Sequence, residues 1–269
     1  MIIMTESEKK RKRDNIKFTI ISILSIITFF LIWELATDVL HLMPEYSLPS
    51  PVKVFKSFIN KFTNSNPDNG TLQQHILTSL KVASSGYLLG ALVGIPLGIC
   101  MAWFRKIDLF VTPLFDLIRP VPTIAWIPLM ILWFGIGLGA KAAIIFVSAF
   151  VPCVINSYAG IKQTLPVHLW VARTFGASRT RALFTVAIPT ALPLIFTGLK
   201  ISLGTAWTSL CAAEMLAANR GLGYMIQLNR QLGRPDLIMV GMLTIGAIGA
   251  FLSFLLGILE NRMVKGGRR

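Results

Sequence analysis

Residues 170–193 read WVARTFGASRTRALFTVAIPTALP. The stretch lies between two long apolar runs, Ala142–Gly160 and Pro189–Ala213, and carries Arg173, Arg179 and Arg181. Its start reads as a short helix with apolar knobs, Trp170, Val171 and Phe175. Connections this long between packed elements are usually functional or disordered, and this one is too helical and too apolar for disorder. It sets the question for the whole chain: what meets an apolar, basic helix standing between two membrane spans?

The 269-residue chain is 54% apolar and only 14% charged. A soluble domain has about a quarter of its residues charged, so lipid is the solvent for much of this one. Its net charge is +14. The lysines and arginines sit at the ends of apolar runs, which is the pattern of membrane topology. No arginine-rich face interleaved with aromatics occurs in a polar segment, so nucleic acid is not expected as a partner. Cys100, Cys153 and Cys211 are far apart and embedded in apolar sequence, and His41, His75 and His168 are equally scattered. Neither a disulfide framework nor a metal site follows from those spacings.

Taken in order, residues 1–17 form a basic tail containing KKRKRDNIK. Residues 18–40 read as an uncleaved first span, with Glu34 at its interfacial end. Residues 41–80 read as an external loop in which Val52, Phe55, Phe58, Ile59 and Phe62 recur at helical spacing after Pro49 and Pro51. That is an amphipathic helix for the membrane surface. Residues 81–262 hold five further spans. The second, Val82–Phe104, carries Gly86, Gly90, Gly94 and Gly98 four residues apart. In lipid, close backbone approach through small residues drives helices together, so this stripe predicts a packed interface. The third span, within Val111–Lys141, is broken by Pro113, Pro120, Pro122 and Pro128. Its uninterrupted part is about 22 Å long at 1.5 Å per residue, so a kink or an interfacial segment is expected. The fourth span is Ala142–Gly160, the fifth Pro189–Ala213 and the sixth Leu237–Leu259, with 161–189 as the loop in question. A basic tail, 263–269, closes the chain.

Six spans put both termini on one side. With the N-terminus in the cytoplasm, roughly twice as many lysines and arginines fall inside as outside, so the 161–189 loop is expected to face the cytoplasm. Catalysis needs a nucleophile–base pair, clustered carboxylates or a metal, and none is visible. The G-x-x-x-x-G-K-[ST] phosphate loop is absent from the sequence, so the chain is not expected to be an enzyme or to hydrolyse ATP. Ionisable residues inside spans mark pathways or coupling sites, which singles out Lys200 and Glu214. These lie about 21 Å apart along one helix. Two readings stand for this pair: each side chain snorkels to its own interface, or the pair gates or contacts the solute. Asn156, in mid-span, is either a pathway group or an interhelical hydrogen-bonding residue.

The segment WVARTFGASRTRALFTVAIP resembles the cytoplasmic "EAA" loop of ABC importer permeases, EAA-x3-G-x9-I-x-L-P. Trp170 stands at the glutamate, Val171 and Ala172 at the alanines and Gly176 at the glycine. Val186 falls on the isoleucine, Ile188 on the leucine and Pro189 on the proline. The spacing is intact and the glutamate is missing. YSLPSPVKVF, HILTSLKVASSGYLLG, IRPVPTIAWIPLMILWFGIG, VINSYAGIK and AAEMLAANRGLGYMI are similar to the nitrate/sulfonate/taurine branch of the same permeases.

The resemblance implies the all-α type I importer permease fold with six transmembrane helices and cytoplasmic termini. It implies a multi-pass protein of the bacterial cytoplasmic membrane that works with a second permease copy as a homodimer. The implied partners are two cytoplasmic ATPase subunits, which bind ATP and Mg, and an extracytoplasmic substrate-binding protein that delivers a small anion. The coupling residues it implies are Trp170, Val171, Ala172, Arg173, Phe175, Gly176, Ala177, Ser178, Val186, Ile188 and Pro189. The alternative is a stand-alone secondary carrier or channel. Carriers show buried ionisable pairs and inverted repeats, neither of which is visible in the sequence, and they lack the cytoplasmic loop.

Overall fold

The computed structural model describes residues 6–264. The outermost residues of both basic tails, 1–5 and 265–269, lie outside the described residues. All regular structure within them is helical: α1 Glu6–Glu34, α2 Pro51–Lys61, α3 Leu72–Trp103, α4 Arg105–Ile118, α5 Ile127–Phe134, α6 Leu138–Lys162, α7 Pro166–Thr174, α8 Arg179–Ala182, α9 Ile188–Ala217, α10 Leu222–Gln231 and α11 Pro235–Met263. Five stretches are long and apolar enough to cross a membrane: Lys17–Val39, Leu72–Trp103, Leu138–Lys162, Arg179–Leu216 and Pro235–Met263. A sixth crossing is formed if α4 and Thr123–Phe134 count together, and these two are bent by 85°. The bend falls at Pro120 and Pro122, where each proline removes a backbone donor that a continuing helix would need.

Three boundaries differ from the sequence reading. Residues 6–17 of the N-terminal tail already belong to α1. The second span begins at Leu72 rather than Val82, because Gln74 accepts the Thr71 backbone N–H at 3.2 Å and so starts the helix. The polar run Gln73–His75 hid that start, although T-x-x-Q is a capping-box signature. Finally, the 161–189 loop is mostly helix. α6 runs to Lys162, and from Arg179 the backbone is helical through a π-helical turn, Leu183–Ala187, straight into α9.

α6 is the axis of the core. The four glycines of α3 all face it: a Cβ at Gly86 would lie 2.6 Å from the Ala142 carbonyl, one at Gly90 2.7 Å from the Ala149 Cβ, and one at Gly94 2.9 Å from the Cys153 Cβ. Gly98 is equally blocked by the Val154 carbonyl. The other side of α6 packs on α9, where Asn156 Cβ fills the space above Gly198. Polar contacts seal that second seam. Pro152 interrupts α6 and cannot donate to the Ser148 carbonyl, which would otherwise lack a partner in a water-free medium. Thr205 of α9 donates its hydroxyl to that carbonyl at 3.0 Å. Ser148 and Ser209 share a hydrogen bond at 2.9 Å, and Cys153 reaches the Ser202 hydroxyl at 3.4 Å.

α11 joins more loosely, held where Trp207 Nε1 donates to the Ile245 carbonyl at 3.1 Å. α1 is anchored near its end, through Trp33 Nε1 to the Pro49 carbonyl at 3.1 Å, and from Phe18 onward most of its large apolar side chains are exposed. α2 starts at the Ser50 cap, whose hydroxyl accepts the Lys53 N–H.

Gly98→Leu should lower the thermal midpoint of the detergent-solubilised protein by the cost of overpacking, about 1–3 kcal/mol or more. Gly246→Ala, where the added carbon meets open space, should leave the midpoint unchanged. A fluorescence-detected melting series on the two variants checks this.

Candidate functional site: an exposed docking helix and a buried polar cluster

The α7 region is built by local sequence. Pro166 occupies the first turn, where its missing N–H costs nothing. The helix ends on Gly176 at φ +78°. The Gly176 N–H reaches back to the Arg173 carbonyl at 2.9 Å and the Ala177 N–H to the Ala172 carbonyl at 3.0 Å. This is the Schellman closure, whose left-handed position favours glycine. Two residues on, Ser178 caps the next helix by accepting the Arg181 N–H at 3.2 Å. Gly-Ala-Ser is therefore a stop, a spacer and a start, and it sets the angle at which α7 leaves the run toward α9.

Apolar surface stands out of this angle. Phe175 is 86% exposed, Trp170 63% and Val171 49%, with Leu165 and Val167 also exposed. Arg179 is already committed, donating to the Trp103 carbonyl at the end of α3 at 3.0 Å and lying over the Phe104 ring. Lys162 lies 3.8 Å from the Asp108 carboxylate and over the Tyr158 ring. Arg173 and Arg181 make no ion pair among the described residues. Val186 lies in the π-helical turn, and Ile188 and Pro189 open α9.

The three candidate pathway residues are not brought together. Asn156 packs over Gly198 and donates to the Pro152 carbonyl of its own helix at 2.8 Å, so the interhelical bond expected for it is not made. Lys200 forms an ion pair with Glu260 of α11, at the partly exposed edge of the bundle. Glu214 does not snorkel. It is 1% exposed, and its carboxylate accepts the Ser79 hydroxyl at 2.8 Å and the Gly223 N–H at 2.9 Å.

Glu214 belongs to a buried polar cluster that the sequence did not disclose. Lys61, Asp68, His75, Ser79, Asn229 and Asp236 are all nearly or wholly buried at the same end of the bundle. The Lys61 ammonium pairs with the Asp68 carboxylate and donates to the Asn66 carbonyl at 3.0 Å. Asn229 Nδ2 donates to Asp68 at 3.3 Å. His75 Nδ1 accepts the Gly221 N–H at 3.1 Å, which places the ring proton on Nε2, 3.6 Å from Asp68. Ser57 and Arg234 both donate to Asp236, at 2.7 Å and 2.9–3.0 Å. Burial pushes Asp68 up, but the facing His75 and Lys61 groups outweigh it and hold its carboxyl below the ordinary value.

With this geometry in view, the comparisons with known proteins decide the family. Residues 94–266 match the binding-protein-dependent transport system inner membrane component. The chain belongs to that family. It is 36% identical over 86% of its length to the taurine transport system permease protein TauC of Escherichia coli (strain K12), covering 83% of that protein. It is 32% identical to the putative aliphatic sulfonates transport permease protein SsuC of Bacillus subtilis (strain 168), over 81% of this chain and 77% of that one. Its similarity to the nitrate import permease protein NrtB of Leptolyngbya laminosa is 33% identity over 76% of this chain and 72% of that one. Among solved structures, an inward-facing MetNI methionine ABC transporter matches with a TM-score of 0.57 at 21% identity, over 74% of this chain and 96% of that one. An amino acid ABC transporter matches at 0.56 and 18%, over 78% and 96%. The fold is that of type I ABC importer permeases, and this binding-protein-dependent permease is a multi-pass membrane protein.

Asp68→Asn strands the Lys61 ammonium in a dry site and should cost about 3–5 kcal/mol, whereas Lys61→Met with Asp68→Leu should cost much less. The pH sign follows from the lowered Asp68 carboxyl. Its stabilisation is complete above the unfolded value of about 3.9 and is lost as pH falls through the lower folded value. Thermal melts of both variants at neutral pH, with an acid titration of the parent protein, test this.

Proposed function

We propose that this chain is the membrane-spanning subunit of an ATP-driven importer that moves a small anion, of the sulfonate, taurine or nitrate kind, across a bacterial cytoplasmic membrane. The observation that carries the reading is α7: a short helix whose aromatic face is exposed, closed by a left-handed glycine at the spacing of the importer loop. Exposed apolar knobs at helical spacing suit a groove on another protein, the helix-in-groove mode. The occupants proposed here are two cytoplasmic ATPase subunits, one on each copy of a permease homodimer. An extracytoplasmic binding protein delivers the solute to the opposite end. ATP and its Mg belong to the ATPase, and this chain is not itself an enzyme. The anionic substrate class rests on the relatives named for taurine, aliphatic sulfonates and nitrate.

In this reading Trp170 replaces the family's carboxylate contact with buried area, and Phe175 supplies the second anchor. Arg173 and Arg181, which make no ion pair among the described residues, meet carboxylates of the ATPase. Ala172 and Gly176 allow close approach, and Ala177 and Ser178 fix the turn. Val186, Ile188 and Pro189 carry the displacement into α9. The end bearing α7 is cytoplasmic, in keeping with its basic residues.

Tagged permease should copurify an ATPase subunit expressed with it. Trp170→Ala removes an aromatic anchor and should weaken that association by about 2 kcal/mol or more, read as loss of copurified ATPase. Gly176→Asp puts a side chain in the left-handed position and a negative charge on the docking face. It should abolish uptake and uncouple ATP hydrolysis while leaving the permease in the membrane. Normal solute-stimulated hydrolysis by the Gly176→Asp assembly would sink the coupling role.

A further inference from the structure

The first turn of α10 is capped by side chains from two other helices. A helix start leaves its first backbone N–H groups without intrahelical acceptors, and here three in a row are received from inside the bundle. Gly221 N–H goes to His75 Nδ1 at 3.1 Å, Leu222 N–H to Ser79 Oγ at 2.9 Å, and Gly223 N–H to the Glu214 carboxylate at 2.9 Å. His75 and Ser79 lie on α3 and Glu214 lies near the end of α9. Ser79 also donates to Glu214, so the two capping helices are tied to each other as well as to α10.

There is no room for rearrangement around the carboxylate. A Cβ on Gly221, whose φ is +131°, would collide with it, and one on Gly223 would lie 2.8 Å from the Glu214 Cβ. Glu214, on α9, therefore ties α3 and α10 to its own helix at one point.

That point lies at the far end of a continuous helical run. The run starts at Arg179, beside the docking helix, and reaches Glu214 roughly 50 Å away. We infer that Glu214 is a positioning residue for transport. Its carboxylate makes the 218–231 segment move as one body with the Arg179–Leu216 run, so that displacement at the ATPase end arrives at the end where solute is received. The inference rests on the importer reading above. The carboxylate contacts neither the docking helix nor, in this assignment, the solute. It acts through the Gly223 N–H and through Ser79, whose oxygen in turn accepts the Leu222 N–H.

The test uses the full assembly of permease, ATPase and binding protein in lipid nanodiscs and proteoliposomes, comparing Glu214→Ala, Glu214→Gln and Ser79→Ala with the parent. Glu214→Ala and Ser79→Ala should raise the ATP hydrolysed per solute imported at least about tenfold. Glu214→Gln, which keeps an acceptor oxygen for Gly223, should stay within about threefold. A merely structural role would lower uptake and hydrolysis together, and an unchanged ratio in Glu214→Ala overturns the inference. Hydrogen exchange at the Gly223 N–H gives a second readout that needs no transport. It should accelerate about 10- to 100-fold in Glu214→Ala, the loss of a hydrogen bond to a charged group, and unchanged exchange also overturns the inference. A parent assembly that shows no ATP-driven uptake would instead overturn the importer reading, leaving the exchange measurement to judge the latch.

Discussion

Everything in this molecule depends on how closely α3 can approach α6. In lipid no hydrophobic force distinguishes a helix neighbour from an acyl chain, so association relies on dispersion contacts and hydrogen bonds at short range. The Gly86–Gly98 stripe removes the side chains that would hold the two backbones apart, and α6 fills the vacated space with Ile145, Ala149 and Cys153. Once α6 is fixed against α3, its opposite side becomes the seat for α9. Serine, threonine and cysteine hydrogen bonds hold that seam, and one of them satisfies the carbonyl that Pro152 leaves open. The three helices form one packed wedge.

The wedge separates two kinds of chemistry. At one end the chain turns out an apolar helix that is exposed among the described residues, with two arginines that make no ion pair among them. At the other it buries lysine, aspartate, histidine and glutamate in a compact network. Such groups are costly away from water unless they are paired or hydrogen-bonded; here Lys61 pairs with Asp68 and Asp236 with Arg234, while Glu214 is hydrogen-bonded to Ser79 and Gly223. One end is left open for a partner and the other is closed on itself. Between them runs a helical rod whose entry contains a π-helical turn, a feature often found where helices serve function. A permease driven by a separate motor needs both an unpartnered grip and a link by which the grip is felt across the bilayer.

The exposed helix α7 was legible in the sequence. Its aromatic spacing and its position between spans are properties of contiguous residues, and Gly176 followed by Ser178 is a stop-and-start signal that local backbone physics enforces. The glycine stripe was legible for the same reason, since periodicity on one helix is written in one segment. The start of α3 was missed because polar residues extend the helix beyond its apolar run. The role of Glu214 was missed more deeply. From sequence it is a carboxylate at the end of a span, and snorkelling is a sound expectation for such a residue.

The sequence by itself determined the solvent, the number of spans to within the broken third crossing, the short exposed helix α7 and the face on which α3 packs. These follow from composition, period and turn chemistry, which act over a few residues. Only the tertiary structure decided which groups meet across long separations: Asp68 with Asn229 over 161 residues of chain, and Ser79 with Glu214 over 135. A hydrogen bond needs two partners at about 3 Å, and no local pattern specifies the second. The loop at 170–193 could be read from its own residues. What it is mechanically joined to, 35 residues further along the rod, required the fold.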